Sequence, residues 1–152
     1  MKLKSIKMKT KIKKDWQGRV KSTEELHLDS KLWLSEIDFI NFEIRFLERL
    51  LSSKYVDYLD AGLYDRIKEF TKEIFNKKAD AITLKELVFK HEKILSDLIH
   101  QNCVTSNKNY LSTHNNLAIE INTFISKYKY LKMQVFEIVE SVMEKQDQKK
   151  LN

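Results

Sequence analysis

The stretch WLSEIDFINFEIRFLERLL, residues 33–51, decides how the chain folds. Trp33, Ile37, Ile40, Ile44, Leu47 and Leu51 recur at the alternating four- and three-residue steps of a helical seam. Leu28, Leu32, Phe39, Phe46 and Leu50 form a second line about 100° away around the same helix. An apolar face this wide touches two neighbours at once, which a helical bundle requires and a two-stranded coil does not. Ser22-Thr23-Glu24-Glu25 has the spacing of a capping box and sets the start of the helix.

The same seam spacing continues along the chain. Asp60-Ala61-Gly62 is a loop signal, after which Leu63, Ile67, Phe70 and Ile74 imply a second helix. Thr83-Leu84-Lys85-Glu86 is a further capping box and predicts a new start, with Leu84, Val88, His91, Leu95 and Leu98 as its seam. Leu117, Ile121, Phe124, Tyr128, Leu131, Val135, Ile138 and Val142 step without a miss in the last helix. The expected fold is all-α: an antiparallel up-and-down four-helix bundle with coiled-coil-like packing, its helices at about 23–53, 63–79, 84–104 and 113–148. The last helix, roughly 50 Å long, exceeds what a short second helix can cover.

The chain of 152 residues has no proline and two glycines, which suits long helices with few turns and excludes glycine-rich phosphate cradles. No run reaches the roughly 20 apolar residues of a membrane span, and no secretory h-region begins the chain, so a cytoplasmic protein is expected. Cys103, the single cysteine, agrees with a reducing compartment and reads as a small core hydrophobe.

The net charge of +6 is unevenly placed. Residues 1–21 hold Lys2, Lys4, Lys7, Lys9, Lys11, Lys13, Lys14, Arg19 and Lys21 against Asp15 alone, leaving a slightly acidic body, residues 22–152, and a basic arm. The arm alternates lysine with Met, Leu, Ile or Thr, the period of a strand with one lysine face. It is expected to be a flexible solvated tail, a tail folded back on the acidic bundle or, with Trp16 beside it, a non-specific tether for nucleic acid or anionic lipid.

Polar groups near the seams are the candidate sites. Glu36 and Glu43 flank the first seam and read as interhelical braces, with a metal or small-ligand site, completed by His91, as the alternative. Level counting in a four-helix bundle puts Glu36 near Lys77 and Tyr128, and Glu43 near Asn102 and Asn122. His91 and His114 both face inward but come out roughly 30 Å apart, with His114 open to solvent at a helix start and available to a binding surface. His27 and His100 point away from their seams. The ligand series of haemerythrin-like and ferritin-like bundles is missing, and no nucleophile with a base and an anion hole emerges.

The expected function is therefore that of a non-enzymatic interaction or scaffold module, without a cofactor, meeting a protein partner or another copy of itself. Trp33, Phe39, Phe42, Phe46 and Phe136 are the candidates for an exposed patch. Phe42 is the most telling, at the outer margin of its helix's apolar arc.

Overall fold

The structure, a computed structural model, describes residues 21–102, 104 and 107–151. The lysines at positions 2–14, Trp16 and Cys103 lie outside the described residues. The fold is all-α, with four helices packed against one another and no strand among the described residues. These helices are α1 (Thr23–Ser53), α2 (Tyr55–Asp60), α3 (Tyr64–His100) and α4 (Lys108–Leu151).

Local chemistry explains most of the boundaries. Ser22 is extended and its hydroxyl accepts from the amide of Glu25, while Glu24 and Glu25 place negative charge against the positive end of α1. The six-residue α2 is pinned by buried Tyr58, whose hydroxyl donates to the Leu50 carbonyl at 3.2 Å. Gly62 then takes φ 74, a conformation that costs a side-chain-bearing residue about 1–2 kcal/mol, and the chain reverses. At the start of α4, the side-chain oxygen of Asn107 accepts from the amide of Tyr110 at 2.9 Å. That cap starts the helix at Lys108, earlier than the apolar periodicity indicates.

The four helices are not the four expected rods. Residues 64–100 form one uninterrupted helix, so the expected segments 63–79 and 84–104 are a single element. The Thr83 hydroxyl does not cap a new start; it donates back to the Ala79 carbonyl at 3.3 Å, within the same helix. No glycine or proline lies between Tyr64 and His100, and the buried line Ile74, Ala81, Leu84, Val88 carries straight through. The fourth helix of the bundle is α2, too short to cover a long face.

Ion pairs record the helix directions. His27–Glu92, Asp38–Lys85 and Glu48–Lys78 join α1 to α3 with rising numbers on one helix and falling numbers on the other, so the two run in opposite directions. Asp29–His114 and Glu43–Lys132 join α1 to α4 with numbers rising together, so those two run the same way. The core lies where the three inward seams meet: Ile37, Ile40, Ile44 and Leu47 from α1, Phe70, Ile74 and Val88 from α3, and Ile121, Phe124, Leu131 and Val135 from α4. Near the end of α4, Val139 is buried and Ile138 is partly buried against the same core.

One consequence of losing a rod falls on α1. Its second apolar line has no helix against it: Leu28, Leu32, Phe39 and Phe46 are between 54% and 60% exposed, and Phe42 is 69% exposed. Of that line only Leu50 is partly buried, against the core cluster.

Candidate functional site

Two features stand out above the core packing: a buried polar chain at one end of the bundle, and the uncovered face of α1.

The chain begins at His91, which is 3% exposed, on α3. Its Nε2 lies 2.7 Å from Nδ1 of His114, on α4 and 1% exposed. Nε2 of His114 lies 2.9 Å from a carboxylate oxygen of Asp29 on α1, and the same oxygen accepts from Lys21 at 2.6 Å. A carboxylate only accepts, so Nε2 of His114 carries the proton that it donates. Neutral His114 then accepts at Nδ1, which makes His91 the donor through Nε2–H. His91 Nδ1 is consequently a bare lone pair, and it is buried without a partner among the described residues.

The roughly 30 Å separation expected for the two histidines is therefore overturned, as is the solvent-open placing of His114. Ending α3 at His100 and starting α4 at Lys108 puts His91 nine residues before one terminus and His114 six residues after the other, which is nearly the same level. Aromatic rings close the site. Tyr110 stacks on His91 with centroids 4.3 Å apart, and Trp33 lies 4.7 Å from His114. Leu26, Leu95, Leu98, Val104 and Tyr110 pack beside it as a second apolar cluster.

Electrostatics follow from this enclosure. Burial, with the neighbouring His114, lowers His91 to a pKa of about 4. Burial also lowers His114, against the opposing pull of Asp29. Burial alone would raise Asp29, but the hydrogen bonds and charges of Lys21 and His114 hold it below the ordinary carboxylate range. Burial, then Glu92 and Asp29, push Tyr110 upward. Ser30 Oγ, Glu92 Oε1 and Tyr110 Oη are also buried without a hydrogen-bond partner among the described residues, so the polar atoms in need of partners concentrate here. The arrangement fixes three helices at one level. No group of three or more metal-ligating side chains suited to holding an ion occurs among the described residues.

Glu43 and Glu36 sit elsewhere. Both Glu43 oxygens meet Lys132 Nζ at 3.1 Å, and one also accepts from the Tyr128 hydroxyl at 3.2 Å. Burial and Glu43 raise the Tyr128 pKa. Level counting had placed Tyr128 beside Glu36 and asparagines beside Glu43. Tyr128 does line one groove with Glu36, but its hydroxyl goes to Glu43, which meets Lys132 in place of the asparagines, and Lys77 meets Asp80 on its own helix at 3.8 Å. Glu36 is exposed at the mouth of a groove of about 380 Å³ between α1 and α4, with Phe39, Glu43, Ile125 and Lys129 around it. Glu43 lies fourteen residues beyond Asp29 on α1, roughly 21 Å along the axis, so it is not brought together with His91. His27 is paired with Glu92 at 2.7 Å on the surface, and His100 is exposed. Because Glu43 and Lys132 are both largely shielded, Glu43→Gln is expected to lower unfolding stability by about 1 kcal/mol. A urea titration of the single variant and of Glu43→Gln/Lys132→Met checks this, the second substitution costing little once the first is made.

A scan against protein-family models and searches of curated proteins and of solved structures found no match.

The face of α1 is the more informative feature. Leu28, Leu32, Ser35, Phe39, Phe42, Phe46 and Arg49 follow one another at strict four- and three-residue steps, a complete second seam on the side of α1 away from the core. Of the expected patch residues, Phe39, Phe42, Phe46 and Phe136 are exposed and Trp33 is packed inward beside the histidines. The patch also includes Leu28 and Leu32, which the wide-arc reading had assigned to a neighbouring helix. On α3, Phe75, Ile82 and Phe89 are also exposed at seven-residue spacing, but the intervening seam positions are Ala79 and Glu86, so that line is half as dense.

Proposed function

We propose that the protein is a non-enzymatic helical contact module that associates with a second copy of itself through the outward seam of α1. The observation carrying this reading is the regularity of that seam. Isolated exposed leucines or phenylalanines are ordinary on a protein surface, but five large apolar residues at heptad spacing on one helix have the form of an interhelical interface. With about 150–250 Å² per fully buried aromatic side chain, the half-exposed seam presents on the order of 500 Å² of apolar surface. A pair of chains thus reaches the roughly 1,000 Å² at which a specific interface begins. Pairing supplies the coiled-coil-like packing and the long neighbour that α2 is too short to provide. The single cysteine fits a cytoplasmic setting, and the lysine arm adds a weak polyanion contact beside the module's main work.

Sedimentation or native mass measurement tests the reading. Wild type is expected to run as a dimer at tens of micromolar, and Phe42→Glu, at a position 69% exposed, as a folded monomer. A monomeric wild type at those concentrations contradicts it.

A further inference from the structure

We infer that the two copies pair antiparallel along α1, with a two-fold axis crossing the helix at the level of residue 37 and Ser35 of each copy receiving Phe39 of the other. The inference rests on the self-association proposed above and adds the direction and register of the pairing.

The sequence of the seam carries it. In an antiparallel pair, each core layer joins one position of a seam to the alternate position of the other copy. Applied to the outward face of α1, this sets Leu28 against Phe46, Leu32 against Phe42 and Ser35 against Phe39, and every apolar member of the seam finds a counterpart. Phe39, 60% exposed, is set against the smallest side chain of the seam, which leaves room for its ring. Arg49 comes level with Glu25 of the other copy, an opposite charge three residues before Leu28 on the same seam.

The parallel alternative meets each residue with itself. It sets Ser35 against Ser35, leaving a void, and buries Arg49 against Arg49, two like charges without a counter-ion. Size and charge therefore both favour the antiparallel register. The flanks agree with close approach on the α4 side. Glu36 and Glu43 border the seam there, and Lys129 and Lys132 of the same copy line that groove with them, so the two acidic flanks arrive already accompanied by positive charge. From Leu28 to Phe46 the seam runs about 27 Å, five turns, which suffices for a helix-on-helix contact of specific register.

The length of the seam also makes the direction measurable. In a background with Cys103→Ser, Leu28→Cys and Phe46→Cys are made as separate variants and oxidised alone and as a mixture, beside a native mass measurement of wild type. Antiparallel pairing places position 28 of one copy beside position 46 of the other, so a disulfide-linked dimer forms in the mixture and in neither variant alone. Linked dimers from each variant alone indicate parallel pairing and overturn the register while leaving self-association standing. A dimeric wild type with no linkage in any sample also overturns the register, because the copies then meet on another face. A monomeric wild type with no linkage overturns the underlying reading as well.

Discussion

Lowering the pH from 7 to 5 is expected to remove about 2 kcal/mol of unfolding stability through His91 alone, well before the carboxylates titrate. The sign follows from the direction of the shift. Folded His91 titrates near 4 and the unfolded residue near 6.5, so the unfolded chain takes up its proton first as the solution acidifies. The stabilising contribution is complete above pH 6.5 and is lost between 6.5 and 4, at a limiting slope of about 1.4 kcal/mol per pH unit. His114 shifts in the same direction and steepens the loss. Asp29, held below its ordinary value of 3.8, contributes stability that disappears only beneath that value and leaves the window above pH 5 to the histidines.

The charged groups facing the pair come from α1, α3 and the segment just before α1. They are Asp29 from α1, with Lys21 beside it, and Glu92 from α3, which is itself occupied by His27; Tyr110 from α4 remains neutral throughout this range. None of them offers a counter-ion to the bare Nδ1 of His91, which is why a proton there is costly. Urea titrations at pH 7, 6 and 5 check the prediction, and His91→Phe, which keeps the stacked ring and removes the titration, should flatten the slope. Stability that holds constant from pH 7 to 5 would show that the dyad is not sealed as described.

The second large effect contrasts two neighbouring residues of α1. Leu47 is fully buried among the three inward seams, and Leu47→Ala should cost about 2–5 kcal/mol, the transfer loss plus the cavity left behind. Phe46, one position earlier and 54% exposed, lies on the other seam. Phe46→Ser should change the folding stability of the dilute monomer by less than about 1 kcal/mol, although it removes the larger side chain. The same substitution should weaken association, where Phe46 meets Leu28 of the other copy. Chemical denaturation at submicromolar protein, paired with sedimentation at high concentration, separates the two effects.

This contrast also shows what the sequence could and could not reveal. The two lines on α1 are plain in the residue order, because helical periodicity depends only on the residue itself and its neighbours three and four away. Which line goes inward depends on how many partners exist, and that number hinged on residues 80–83. Thr83 and Glu86 have the spacing of a helix start, and hydroxyl side chains serve equally well as caps or as donors to the preceding turn, so the pattern is ambiguous. The weightier signal was the uninterrupted line Ile74, Ala81, Leu84, Val88 with no glycine or proline beside it.

The buried dyad was hidden for the same reason. Its residues lie 23 positions apart, and only the correct helix ends bring them to one level. Read with α3 continuous to His100 and α4 capped by Asn107, the sequence places His91 and His114 at matching heights, and Asp29, on the opposite rod, becomes their natural third member. Glu43 was recognisable as a brace from its flanking position, but its partner Lys132 required knowing that α1 and α4 run the same way.

The account turns on α1 having one seam for its own core and a second for another chain. The thermal midpoint measured across a hundredfold range of protein concentration tests this most directly, since a partner that binds only the folded state raises the midpoint by mass action. The midpoint of wild type should climb with concentration, and that of Phe39→Glu/Phe42→Glu should stay fixed with its helix content retained. A wild-type midpoint indifferent to concentration would contradict the account.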